Sequence, residues 1–216
     1  LHDSTWLSSS ALIGCVQMRI FCRVRPLLPG EENSAGAVRV HTSSSSVELA
    51  PAPNAAGERN GSTTFECHQA FDGTTSQCQV SEDISMLVQS AIDGYKVCIF
   101  AYGQTGSGKT FTMVGGQGAE RGVIPRAAEL IFSRCAELRS LGWTFDISIS
   151  CLQVYNETLT DLLPVPKGEA AHAKELLIKS DGSVWGLRAE GVRAVDEVSK
   201  LLAAANANRH TRAHIN

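Results

Sequence analysis

The eight residues Gly103-Gln104-Thr105-Gly106-Ser107-Gly108-Lys109-Thr110 constrain this 216-residue chain more than any others. They complete the pattern GxxxxGK[ST] and follow directly on the apolar run VCIFAY at residues 97–102. Glycines let a backbone enter positive-φ conformations, so that successive N–H groups converge on one anion. A helix starting near Lys109 adds its unpaired N–H groups and the positive end of its dipole. The lysine ammonium then neutralises β/γ-phosphate oxygens, and the Thr110 hydroxyl ligates Mg²⁺. A chance match over a chain of this length has a probability of about 1% from average composition. Here the match also lies between a strand-length apolar run and a helix-compatible segment. The octapeptide therefore predicts a site for a nucleoside triphosphate and magnesium, against the alternative of a Gly-rich turn with a surface lysine.

The surrounding pattern is α/β. Residues 97–102 read as a strand buried on both faces of a parallel sheet. Around residues 18–25, Ile20, Cys22 and Val24 alternate with Arg19, Phe21, Arg23 and Arg25, a strand ended by Pro26 and the Pro29-Gly30 turn. Residues 38–40 and 47–49 are short strands, and 50–61 is a surface loop. A helix is predicted over 81–93, capped by Ser81, with Glu82 and Asp83 at its positive end and Gly94 as its stop. Its stripe is Ile84, Leu87, Val88, Ala91 and Ile92. Pro125 opens a second helix, with Ala128, Ile131, Cys135 and Leu138 as its apolar positions. Residues 144–155 read as one long strand, and 176–187 as a hairpin about Asp181-Gly182. Asp196 caps a last helix whose Val198, Leu201, Leu202 and Ala205 face inward. Residues 1–17 form a leader that no period assigns.

Composition narrows the function classes. With 19 Lys+Arg against 22 Asp+Glu, nothing global points to nucleic acid, so any basic contact surface is local. The longest apolar stretches, residues 11–15 and 97–102, fall far short of the roughly 18 residues of a membrane span. Residues 1–17 hold no Lys or Arg, which argues against a secretory signal. Seven cysteines without a CxxC argue for reduced thiols in a cytosolic protein, not a disulfide framework or zinc ribbon. His210 and His214 lie four apart without a third ligand nearby, so a solvated chain end is preferred to a metal pair. Asn156, Glu157 and Asp161 read as caps of a short helix, Tyr155 and Trp185 as packing beneath a loop, and Lys96 as a solvated charge.

The residues around the octapeptide carry a family resemblance. Residues 94–113, GYKVCIFAYGQTGSGKTFTM, closely resemble the nucleotide site of the kinesin motor domain. In kinesin order follow IFCRVRPL (20–27), Phe71 with Ser76-Gln77, RGVIPRAAELIF (121–132), QVYNETLTDLL (153–163) and ANANR (205–209). The wording of CRVRPLLPGE and LVQSAIDGYKVCIFAYGQTGSGKTFTM looks most like the C-terminal-motor, minus-end-directed subfamily. The resemblance covers residues 18–216 and implies a P-loop NTPase with a mixed central sheet flanked by helices.

It also implies an ATP-driven microtubule motor of the cytoplasmic cytoskeleton, whose dimerisation through a coiled coil lies outside these residues. Arg23, Arg25 and Pro26 would line the adenine pocket, with Arg25 stacking on the base. Gln104 to Thr110 would hold phosphates and Mg²⁺. Lys179 and Arg188, bounding the hairpin at 179–188, would face acidic tubulin. The family's first switch, NxxSSRSH, should begin about where the chain reaches Asn216, and the second, DxAGxE, is absent. The resemblance therefore implies a partial motor domain truncated before both switches, with no strands to flank residues 97–102. The alternative is a non-hydrolysing nucleotide- and microtubule-binding module. A P-loop kinase or GTPase would need an acceptor site or an NKxD motif, and the sequence has neither.

Overall fold

The computed structural model describes residues 18–32, 36–50, 61–164 and 175–209, in two compact units, 1–75 and 76–216. The leader at 1–17, residues 51–60 of the surface loop, and His210 and His214 lie outside the described residues.

In the first unit, β1 (Phe21–Arg23) pairs in parallel with β5 (Gln69–Phe71), Cys22 lying opposite Ala70. His68 extends the pairing: its Nδ1 accepts the Ile20 N–H at 3.0 Å, and its own N–H donates to the Ile20 carbonyl at 2.8 Å. The Phe21 and Phe71 rings meet edge to face, 6.3 Å between centroids, the arrangement favoured by their quadrupoles. The two short strands expected around residues 40 and 48 are β2 (Val38–His41) and β3 (Ser46–Leu49), and β4 (Thr63–Glu66) completes their antiparallel sheet. Glu48 faces both Arg39 and His41 across the ladder, the opposite-charge pairing that stabilises a register.

In the second unit, α1 (Gln77–Ile92) begins four residues before the expected Ser81. Ser76 is the cap. Its hydroxyl accepts the Gln79 N–H while the Gln79 side chain reaches back to the Ser76 N–H, closing a capping box that leaves Ser81 inside the helix. Ser81 instead donates to the Gln77 carbonyl at 2.8 Å, and Glu82 and Asp83 fall outside the first turn. At the other end, Tyr95 N–H bonds to the Ser90 carbonyl and Gly94 N–H to Ala91, the paired bonds of a Schellman stop.

The buried stripe of α1, Val80, Ile84 and Val88, lies on a helix that packs against α3 (Val123–Arg139). Between them in sequence is the short α2 (Lys109–Met113). Pro125 sits in the first turn of α3, where its missing N–H costs no helical bond. The last helix, α4 (Val195–Asn208), buries Val198 with Ala128 and Val192, and Phe132, Ile147, Ile149, Leu201 and Leu202 surround that core. Ala194 precedes α4 without a side-chain cap, and Asp196 lies in the first turn, paired with Lys200 at 3.0 Å.

Residues 144–155 do not form one strand. β6 (Ser148–Ile149) and β7 (Leu152–Tyr155) take different antiparallel partners, β11 (Glu190–Gly191) and β8 (Thr158–Asp161) respectively. Asn156 and Glu157 both hold positive φ, 46° and 60°, so they make the two-residue turn of a hairpin and cap no helix. The second hairpin, β9 (Leu177–Ile178) with β10 (Val184–Trp185), turns through Ser180, Asp181 and Gly182. Tyr155 and Trp185 are exposed and do not pack beneath a loop. Lys96 is solvated, as read from sequence.

Two expectations about sheets are corrected. Among the described residues the strands form five separate sheets, four of two strands and one of three, not one continuous mixed sheet. Residues 97–102 join none of them and are not buried on both faces: Phe100 is 73% and Tyr102 95% exposed. The apolar run keeps the composition of an interior strand without the neighbours that would cover it.

Gly122 fixes the joint between α2 and α3. A Cβ there would lie 2.6 Å from both the Met113 carbonyl carbon and oxygen, which are backbone and cannot rotate away. The Gly122 N–H also donates to the Val114 carbonyl at 2.9 Å. Gly122→Ala in the full-length protein is expected to cost roughly 1–3 kcal/mol, as overpacking does, and to lower the melting temperature. Gly191→Ala, whose Cβ would meet nothing within 4 Å, is the matched variant that should melt close to wild type.

Candidate functional site

The octapeptide forms a turn that closes on its own lysine. Gly106 and Gly108 hold φ of +80° and +96°, a region that side chains rarely enter, and Gly108 is the residue from which α2 starts. The Ser107 N–H donates to the Gln104 carbonyl at 3.1 Å, bending the middle of the loop. Lys109 Nζ donates to the carbonyls of Gly103 and Gln104, 2.8 Å each, so the ammonium sits at the loop mouth. A Cβ on Gly103, which holds φ of +156°, would come within 2.5 Å of Ser107 Oγ, so a side chain there would be strained and would displace the Ser107 hydroxyl.

The donor set fits a polyphosphate. Among the described residues, the backbone N–H groups of Gly106, Gly108, Lys109 and Thr110 have no protein acceptor. Four amides without internal partners, an ammonium beside them and a helix start together make an anion cradle. Thr110 is exposed, on the first turn of α2, where its hydroxyl is free to meet a hydrated cation. The predicted loop residues Gly103, Gln104, Thr105, Gly106, Ser107, Gly108, Lys109 and Thr110 are thus brought together in one structure.

The residues read as adenine contacts belong to the first unit. Arg25 forms a two-pronged pair with Glu31, 2.8 Å from Nη1 to Oε2 and 2.6 Å from Nη2 to Oε1, and Nη1 also donates to the Pro26 carbonyl. That pairing, with the Leu28 N–H on the same carboxylate, holds the Glu31 carboxyl well below its usual range, at about 2. A fork engages the edge of the guanidinium plane and leaves its faces for stacking. Arg23 donates to the Thr75 carbonyl at 3.4 Å, and burial lowers its pKa. Pro26 is exposed. Nothing in the sequence singles out Glu31, which no local pattern ties to Arg25 six residues before it.

Of the two hairpin cations, Arg188 is committed inward. Its guanidinium donates to Asp161 Oδ2 at 3.0 Å and to the carbonyls of Leu163 and Pro164, while its own N–H donates to the same carboxylate oxygen. Asp161 therefore closes a corner with Arg188 and the Leu163 N–H and has no part in capping a helix. Lys179 is exposed, at the edge of a turn in which Asp181 accepts both the N–H and the hydroxyl of Ser183.

The six described cysteines are all free thiols, and burial pushes those of Cys22 and Cys151 up, away from reactivity. No group of three metal-ligating side chains occurs among the described residues, and no helix among them is long and apolar enough to cross a membrane.

Against known families, the kinesin motor domain matches residues 23–215, nearly the whole chain. The chain belongs to the kinesin motor domain family. A kinesin motor domain has the P-loop NTPase fold, which agrees with the α/β content and the loop described above. Kinesin-like protein KIN-14M of Arabidopsis thaliana is 45% identical over 205 residues, covering 89% of this chain and 27% of the plant protein. Kinesin-like protein KIFC1 of Homo sapiens is 40% identical over 215 residues, 89% of this chain and 32% of the human protein. Carboxy-terminal kinesin 2 of Xenopus laevis is 41% identical over 206 residues, with the same shares. These relatives match the subfamily resemblance read from the residues around the loop. This kinesin chain spans about a fifth to a third of the length of the curated relatives it matches.

Proposed function

We propose that this kinesin chain forms the nucleotide-holding part of an ATP-driven microtubule motor acting on the cytoskeleton. The observation that carries the reading is the closed loop with Lys109 Nζ at its mouth and four unpartnered amides beside it. In this reading Lys109 exchanges its bonds to Gly103 and Gln104 for bonds to β/γ-phosphate oxygens. Gly106, Gly108, Lys109 and Thr110 contribute their backbone N–H groups at the same anion. The Thr110 hydroxyl would hold Mg²⁺, which would supply charge neutralisation at the phosphates. Within the first unit, Arg25 has its plane held by Glu31 and keeps a face for stacking, which supports the adenine-contact role that the family resemblance implies for it.

On the hairpin, Lys179 is the residue we assign to the acidic tubulin surface. Arg188 takes the structural role of holding the corner at Asp161, in place of the contact first expected of it. ATP turnover by the full-length protein is expected to rise severalfold or more when polymerised microtubules are added, measured by phosphate release. A turnover rate indifferent to microtubules would contradict the motor reading. Slow turnover or none, with tight Mg·ATP binding, would favour the non-hydrolysing module.

A further inference from the structure

We infer that Gln77, at the first turn of α1, is a positioning residue for the phosphate loop; this rests on the nucleotide-binding reading above. Gln77 is 5% exposed, and its carboxamide nitrogen donates to two backbone carbonyls, Phe111 at 2.5 Å and Glu120 at 3.1 Å. Phe111 lies on α2, two residues beyond Lys109, and Glu120 lies in the 3-10 turn Gly118–Glu120 on the way to α3. One buried amide therefore joins three pieces of chain that the loop depends on.

The physical need for such a tie comes from the length of α2. A five-residue helix is too short to hold itself, and its last carbonyls have no partners within it. Its direction, and with it the placement of Lys109 and Thr110, must come from outside bonds. Several surround it: Gly122 N–H to the Val114 carbonyl, Gly116 N–H to Glu120, and Arg126 to the carbonyls of Ala119 and Arg121. The first two brace the 114–122 segment within itself, and the Arg126 bonds tie it to α3. Gln77 adds a tie from α1. Its own position is set by the capping box at Ser76 and Gln79, which begins the helix at Gln77.

A change at Gln77 is predicted to reach the nucleotide without touching it. Gln77→Met keeps the length and burial of the side chain and removes both donors. In the full-length protein, amide exchange over residues 109–114 should quicken, and the Kd for Mg·ADP should rise about tenfold, the worth of one buried hydrogen bond. Val88→Ala, at a buried position further along α1, serves as the comparison. It should lower the melting temperature while leaving exchange over 109–114 and the Kd for Mg·ADP as in wild type. Unchanged exchange or unchanged affinity in Gln77→Met overturns the assignment, as does an equal affinity loss in Val88→Ala. If wild type itself takes up no Mg·ADP, the nucleotide reading fails and the role of Gln77 fails with it. Tight wild-type binding that Gln77→Met leaves intact removes the Gln77 assignment alone.

Discussion

The 216-residue chain produced by itself is expected to appear in the insoluble fraction or as large soluble aggregates, not as a monomer with a cooperative melt. The reason lies in residues 97–102. VCIFAY carries no charge and no proline, is rich in residues that favour strands, and lies without a strand partner among the described residues. Phe100 and Tyr102 are the most exposed part of it, with Tyr95 nearby also exposed. An uncovered apolar segment of six residues is a template for pairing with another chain. Covering an apolar side chain of this size is worth roughly 1.5–3 kcal/mol, against a whole-domain stability of about 5–15 kcal/mol. Light scattering coupled to size exclusion reads the outcome. Phe100→Lys should shift material toward monomer. A wild-type monomer with one sharp thermal transition would show that the segment is already covered.

Lys109→Ala is expected to abolish microtubule-stimulated ATP turnover in the full-length protein. Its side chain does two things in the loop. It is the ammonium nearest the place where phosphates would sit, and it bonds the carbonyls of Gly103 and Gln104, at the start of the loop, to the residue that opens α2. Alanine loses both the charge and the closure. The charge-assisted bonds that the ammonium would make to phosphate oxygens in place of these carbonyls are worth about 1.5–3 kcal/mol each, enough for a loss of at least about 100-fold in affinity. The overall fold should survive, because the α1 and α3 packing and the core of Ala128, Val192 and Val198 do not involve Lys109. A folded Lys109→Ala protein with ordinary turnover would remove the lysine from the mechanism.

What was legible in the residues was local. The loop could be read because its chemistry is contiguous: eight adjacent residues supply turn, amides, ammonium and hydroxyl. The helix faces of α1, α3 and α4 followed largely from apolar spacing, since Ile84, Val88, Ala128, Val198 and Ala205 are buried where the period puts them, whereas Ala91 of the expected α1 stripe is exposed. Boundaries were less legible. Ser81-Glu82-Asp83 has the composition of a helix start, but the reciprocal bonds of Ser76 and Gln79 place the cap five residues earlier. The alternation across 144–155 could not reveal that two different partners divide the segment. A strand's extent is set by what lies beside it, and that is not written in its own residues. The same holds for 97–102, whose composition reads as interior whether or not anything covers it. Arg188 and Gln77 act through partners 27 and 34 or more residues away, beyond the reach of any local pattern.

Equilibrium titration of Mg·ATP into the full-length protein, wild type and Lys109→Ala side by side, decides the matter most directly. Saturable binding by wild type, weakened at least about 100-fold in the variant while circular dichroism and melting temperature stay the same, is the predicted result. Equal affinities in the two proteins would contradict it.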